Sequence, residues 1–93
     1  MKALILNERD NVAVALTDIN SNTLIKIKRG HETLEIRVRQ EIPFAHKFAI
    51  SNVPKDHRIY KYGEVIGKTT KRITKGQHVH VHNLESIRGK ARQ

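Results

Sequence analysis

Three histidines alternate with two valines in one stretch, His78-Val79-His80-Val81-His82. On an extended strand the imidazoles would share one face, about 6.8 Å apart per step, with Val79 and Val81 turned into a core. Two imidazoles at i and i+2 can close on one metal ion, whose nitrogen ligands lie about 2.1 Å from it. Three on a flat strand reach across about 13.5 Å, too far to share one ion. Three readings stay open: a solvated histidine-rich face, a row that faces an anion or substrate, or a metal site with His80 and His82 as its pair. Glu85 is the one nearby carboxylate, and metal sites normally draw ligands from several elements. A second pair, His46-Lys47, follows a proline break. It could hold a carboxylate or move a proton near neutral pH, or simply be an exposed strand start. In Lys61-Tyr62-Gly63-Glu64-Val65-Ile66-Gly67 a cation and a hydroxyl stand beside two glycines. This is no phosphate loop, because the Gly-x-x-x-x-Gly-Lys-Ser/Thr order is missing; its plain reading is a tight β-turn. No nucleophile–base pair and no paired carboxylates are visible, so the residues describe half of a site.

The elements that must carry these groups are short. Ninety-three residues make one domain, 1–93, with a small core. No apolar run approaches the ~20 residues that span a bilayer. The first residues are too short an apolar stretch for a signal peptide, which makes the cytoplasm the expected location and a membrane no expected partner. There is no cysteine, which excludes disulfides, thiolate catalysis and Cys-based metal sites. Lys+Arg minus Asp+Glu is 18 − 9 = +9, which suits nucleic acid, an acidic protein surface or an anionic small molecule. Two Phe, two Tyr and no Trp are thin for a binder of single strands, so nucleic acid is the weakest of the three.

Residues 11–16 are apolar on both faces, as in a buried strand. Residues 23–28 are rich in β-branched types. In 33–39, Leu34, Ile36 and Val38 share one face and Glu35, Arg37 and Arg39 the other. Residues 28–32 then form the loop of a β-hairpin. Ile42-Pro43 breaks the pattern, a strand runs from 45 to 50, and Pro54 marks a turn or one short helical turn. Gly63 and Gly67 suit a bend and a close backbone approach. Residues 78–83 read as a strand by strict alternation, and 85–93 as a basic, frayed tail. Residues 51–59 echo 70–79, as two equivalent turns on a small barrel-like sheet. The fold class is all-β with short helical turns.

In order along the chain, four stretches resemble one family, the altronate/galactarate dehydratases. Asp10-Asn11-Val12-Ala13-Val14-Ala15-Leu16 resembles their opening, and Ala45-His46-Lys47-Phe48-Ala49-Ile50 their Gly-His-Lys-x-Ala-Leu. Lys61 to Gly67 is similar to their Lys-Tyr-Gly-x-x-Ile-Gly, and Gly76-Gln77-His78-Val79-His80-Val81-His82-Asn83 to their Gly-Glu-His-Val-His-x-His-Asn. Ala45 stands where the family has Gly, and Asp56 where a turn glycine is usual. The resemblance implies a SAF domain with a β-clip fold, and a close relative in the small subunit of sulfolactate sulfo-lyase. It implies a hydro-lyase that removes water from a sugar acid, with Fe(2+) and most of the catalytic machinery on a large partner subunit or domain and no metal held by this chain alone. It also implies that His46, Lys47, Lys61 and Tyr62 line the substrate side, and that His78, His80, His82 and Asn83 face the substrate or the partner's metal. A free-standing anion-binding module without catalysis is the alternative, as is the sulfo-lyase small subunit.

Overall fold

The computed structural model describes residues 2–87. The described residues form nine short strands: β1 (Ala3–Leu4), β2 (Val12–Ala15), β3 (Leu24–Arg29), β4 (Glu32–Arg37), β5 (Lys47–Ala49), β6 (Arg58–Lys61), β7 (Glu64–Thr69), β8 (His78–Val79) and β9 (Leu84–Ser86). No helix among the described residues is long and apolar enough to cross a membrane. The fold is all-β, as expected.

An antiparallel sheet in the order β1-β2-β5-β8 runs through the middle. All four residues of β2 are buried, because the sheet is covered on both faces. Ala13, Ala15 and Phe48 face a larger core with Ile19, Ile25, Ile27, Ile36 and Val38. Val12 and Ala49 face a second core with Val53, Ile59, Ile73 and Val79, and Ile66 and Leu84 pack against it. The β3–β4 hairpin covers the first face and the β6-β7-β9 sheet the second.

A turn of constant shape recurs four times. Each has one residue in an isolated bridge and, three positions on, a residue with positive φ, followed after one further residue by a strand. The bridge residues are Ile19, Ile42, Val53 and Ile73, and the positive φ values are 68° at Asn22, 69° at Ala45, 66° at Asp56 and 88° at Gly76. The bridges pair Ile19 with Ile42 and Val53 with Ile73, each through two reciprocal N–H···O bonds. The residue before the first bridge partner then takes up a further donor: Asp18 Oδ1 accepts Phe44 N–H at 2.8 Å, and Asn52 Oδ1 accepts Lys75 N–H at 2.9 Å. The chain is thus two similar halves. The echo of 51–59 in 70–79 is the facing pair of turns in the second half. Residues 51–57 form a turn with no helical turn in it.

Three expected boundaries shift. Arg29 pairs with Glu32, so the first hairpin closes through Gly30 and His31 alone, with positive φ at Gly30 as a tight two-residue turn requires. Leu84–Ser86 forms β9 against β7, which takes in the first residues of the expected tail; that tail from Arg88 on lies outside the described residues. The strand expected over 78–83 stops at Val79.

Candidate anion-binding cleft and histidine cluster

The second hairpin turns at Tyr62 and Gly63, with φ of 55° and 80°, the conformation of a primed two-residue turn. The segment before β2 holds it in place. Asp10, buried, accepts the Gly63 N–H at Oδ1 (2.8 Å). Asn11 accepts from Tyr60 N–H (2.8 Å) and donates to the Arg58 carbonyl (3.0 Å). These bonds fix Lys61, at the end of β6, against the middle of the molecule. A Cβ on Gly67 would stand 2.5 Å from the Glu85 carbonyl oxygen, so this glycine lets β9 approach β7.

After Val79 the chain leaves the sheet because Asn83 offers it a different set of partners. Asn83 is 1% exposed. Its Oδ1 accepts the His80 N–H at 2.9 Å, its Nδ2 donates to the His78 carbonyl at 2.8 Å, and its N–H bonds the His80 carbonyl at 3.0 Å. Period-two alternation in the sequence masks this closed turn. Val81, expected in the core, is therefore 82% exposed at the tip, whereas Val79 is buried as expected.

The turn gathers imidazoles that a flat strand would spread out. His80 lies over His46, with ring centroids 4.7 Å apart and planes 10° from parallel. His78 is 5.1 Å from His46, 5.4 Å from His80 and 5.5 Å from His82. His46 Nδ1 and His78 Nε2 are 2.9 Å apart. His46 is placed by backbone bonds to Pro43 and Ala15, and His78 by donating its N–H to Gln40 Oε1 at 2.9 Å.

Beside this cluster a cleft of about 300 Å³ is lined by Lys47, Lys61, Ile66, His80, Val81, Leu84 and Ser86. Two ammonium groups and an imidazole stand against an apolar wall. Burial and the nearby Lys61 lower the Lys47 pKa. Burial, then His46, His80, His82 and Lys47, bring His78 down to about 4, so its ring is neutral at physiological pH. Burial, His46, Lys47 and His82 lower His80. Crowded positive groups of this kind are relieved by an anion. A somewhat larger groove, about 370 Å³, runs past Ala3, Leu4, Ile5, Lys26, Ile27, Lys28 and Thr33. It is apolar apart from its lysines and holds no imidazole, so lysines and an imidazole come together only in the smaller of these two clefts.

Of the residues singled out in the sequence, Lys47, Lys61 and His80 share the cleft, and His46, His78 and His82 adjoin it through the ring cluster. Tyr62 is outside the lining, 44% exposed, with its ring 4.9 Å from Lys61 Nζ. Asn83 lies beneath, its amide engaged by backbone. Ile66, Val81, Leu84 and Ser86 form the walls, and alternation alone could not place them. Among the described residues no three His, Asp or Glu side chains are arranged to hold a metal ion. His46 Nδ1 and His78 Nε2 lie within hydrogen-bonding distance of each other, so these two rings engage one another.

Fold and cleft define a small all-β module with a pocket lined by two lysines, a histidine and an apolar wall. The chain matches the altronate/galactarate dehydratase SAF domain over residues 1–87 and belongs to that family. It is 37% identical over 86 residues to altronate dehydratase of Escherichia coli (strain K12), covering 92% of this chain and 17% of that protein. The Bacillus subtilis (strain 168) altronate dehydratase is 36% identical over 88 residues, again 92% of this chain and 17% of the relative. The (2R)-sulfolactate sulfo-lyase subunit alpha of Chromohalobacter salexigens is 41% identical over 56 residues, 60% of each chain. The chain thus spans about a sixth of the length of the altronate dehydratases it matches.

Proposed function

We propose that the chain is the substrate-anion-binding module of a sugar-acid dehydratase, an altronate dehydratase-like hydro-lyase whose active site is completed by a large catalytic subunit or domain. One observation carries the reading: Lys47, Lys61 and His80, far apart in sequence, line one cleft. Elimination beside a carboxylate requires that its charge be neutralised, the α-proton removed and the departing hydroxide protonated or held. Lys47 and Lys61 bind the carboxylate between them. His80 gives or takes a hydrogen bond at the adjoining hydroxyl. Ile66, Val81 and Leu84 exclude water on one side, and the exposed Val81 tip is covered by the catalytic partner. Tyr62 meets the substrate or the partner from the hairpin tip, and Asn83 positions the histidine turn. An iron ion, where the catalytic part carries one, supplies a Lewis acid for the departing hydroxide. The complex is cytoplasmic.

The likeness to a sulfo-lyase subunit over 60% of that protein's length favours a second reading, the corresponding subunit for a sulfonated acid. A sulfonate offers the same lysines a single negative charge.

Calorimetric titration of the chain with altronate, galactarate and sulfolactate, with a neutral sugar as control, tests both. Binding of a sugar acid but not the neutral sugar, together with dehydration only after a large dehydratase subunit and ferrous iron are added, is the expected result. Preference for sulfolactate selects the second reading. Failure of every acid to bind, or turnover by the chain alone, overturns the proposal.

A further inference from the structure

The contact between His46 and His78 has a geometry that a mere cluster does not require. The 2.9 Å between Nδ1 and Nε2, extended at each end by the distance from a ring nitrogen to its ring centre, matches the 5.1 Å between centroids closely. The two nitrogens therefore lie on the line joining the rings, whose planes differ by 26°. A ring nitrogen pointed straight at another is attractive only when one carries hydrogen and the other a lone pair. Two N–H groups would repel, and so would two lone pairs. The bridge holds one proton.

We infer that His46 and His78 are a proton-sharing pair that passes a proton from one outer ring nitrogen to the other while remaining joined. In the neutral pair with the bridging hydrogen on His46 Nδ1, the outer His46 Nε2 is a lone pair and His78 Nδ1 carries hydrogen. A proton arriving at His46 Nε2 makes that ring an imidazolium. The bridging proton then moves from His46 Nδ1 to His78 Nε2, and the proton on His78 Nδ1 departs. One proton enters, one leaves, and both tautomers are exchanged with no net change in charge. The pair stands beside the cleft, since His80 lies over His46 at 4.7 Å and itself lines the pocket.

The surroundings oppose a second positive charge. His80 faces His46, His82 faces His78 at 5.5 Å, and the Lys47 ammonium acts on His78. Gln40 meets His78 through the backbone N–H and leaves its ring free of that contact. In the elimination proposed above, such a pair would carry protons between the reacting acid and solvent; that role rests on the proposed function, but the sharing of the proton does not.

The test is nitrogen-15 NMR of the full chain labelled at histidine, with no ligand or partner. The expected result is one strongly deshielded ring proton and scalar coupling between His46 Nδ1 and His78 Nε2. His78→Gln should keep the fold and a hydrogen bond to His46, because an amide N–H reaches a similar position, but abolish the ring-to-ring coupling and the deshielded proton shared by two imidazoles. Two uncoupled rings with no deshielded bridging proton overturn the inference. So does wild-type behaviour in His78→Gln. Sugar-acid binding reads Lys47 and Lys61 instead: coupling without binding counts against the proposed function alone, and binding without coupling against the pair alone.

Discussion

The two halves of the molecule are built alike and used differently. The turn at Ile42–Lys47 leads into β5 and its counterpart at Ile73–His78 into β8, and these strands pair, Phe48 opposite His78 and Lys47 opposite Val79. Each half also carries a hairpin with a tight two-residue turn. The first, β3–β4, is a free-standing pair over the larger core. The second acquires β9 as a third strand, and the chain that reaches β9 from β8 must turn through His80, Val81, His82 and Asn83. The cleft lies where this extra connection crosses the repeated frame. Repetition brings the His46-Lys47 segment beside His78; the departure from it adds His80 and the apolar wall.

The widest gap between the halves is expected at the paired positions Ala45 and Gly76. Both have positive φ, 69° and 88°, but a Cβ at Gly76 would run into the Arg37 carbonyl oxygen. Gly76→Ala should cost roughly 3 kcal/mol or more, combining left-handed strain of about 1–2 kcal/mol with a backbone clash. Thermal unfolding reads this as a Tm lower by more than about 10 °C, and an unchanged Tm contradicts the close approach.

Next in size is the turn peculiar to the second half. Asn83→Ala removes two hydrogen bonds from the Asn83 amide to backbone. A loss of about 2 kcal/mol is expected in urea unfolding, with His80 and His82 becoming mobile by NMR. Intact order at these rings in the variant would show that another contact holds the turn.

Acidification should weaken the same region. The folded-state pKa values of His78 (about 4) and His80 lie below the ordinary 6.5, so below pH 6.5 the unfolded chain binds more protons than the folded one. Stability from these groups is complete above pH 6.5 and falls as pH drops towards 4. With solvent screening of half-exposed rings, the loss is on the order of 1 kcal/mol. Wild-type unfolding at pH 7 and pH 4.5, compared with His78→Gln, isolates this share from that of the carboxylates. The variant should lose less, and an equal loss would place the effect elsewhere.

The smallest change goes the other way. Ala45→Gly relieves left-handed strain while adding chain entropy to the unfolded state, a net gain of a few tenths to about 1 kcal/mol. A lower Tm would mean that the Ala45 methyl makes contacts that outweigh its strain.

Much of the frame was legible in the residues. Doubly apolar Val12–Ala15 reported a strand covered on both faces, alternation at Leu34, Ile36 and Val38 reported the core side of β4, and Gly63 and Gly67 reported the bend and the close approach. Single bridging residues such as Ile19 and Ile42 leave no run to detect, so two of the four equivalent turns stayed hidden. Alternation at His78 to His82 imitated a strand, because it registers side-chain order and not the buried Asn83 amide that bends the backbone. His46, Lys47, Lys61 and His80 were identifiable as polar groups worth following. That three of them share a cleft depends on β5, β6 and the turn after β8 meeting in space, which no local spacing encodes.

The direct test sets the two halves against each other with the same probe. Both carry lysine pairs beside a groove, Lys26 and Lys28 in one, Lys47 and Lys61 in the other. Titration with altronate should show affinity reduced about tenfold or more in Lys47→Met/Lys61→Met, the loss of charged hydrogen bonds worth about 1.5–3 kcal/mol. Lys26→Met/Lys28→Met should stay within about twofold of the unsubstituted chain, since exposed charges act weakly. Equal losses in both double variants, or a loss confined to the Lys26 and Lys28 pair, would contradict the assignment of the cleft.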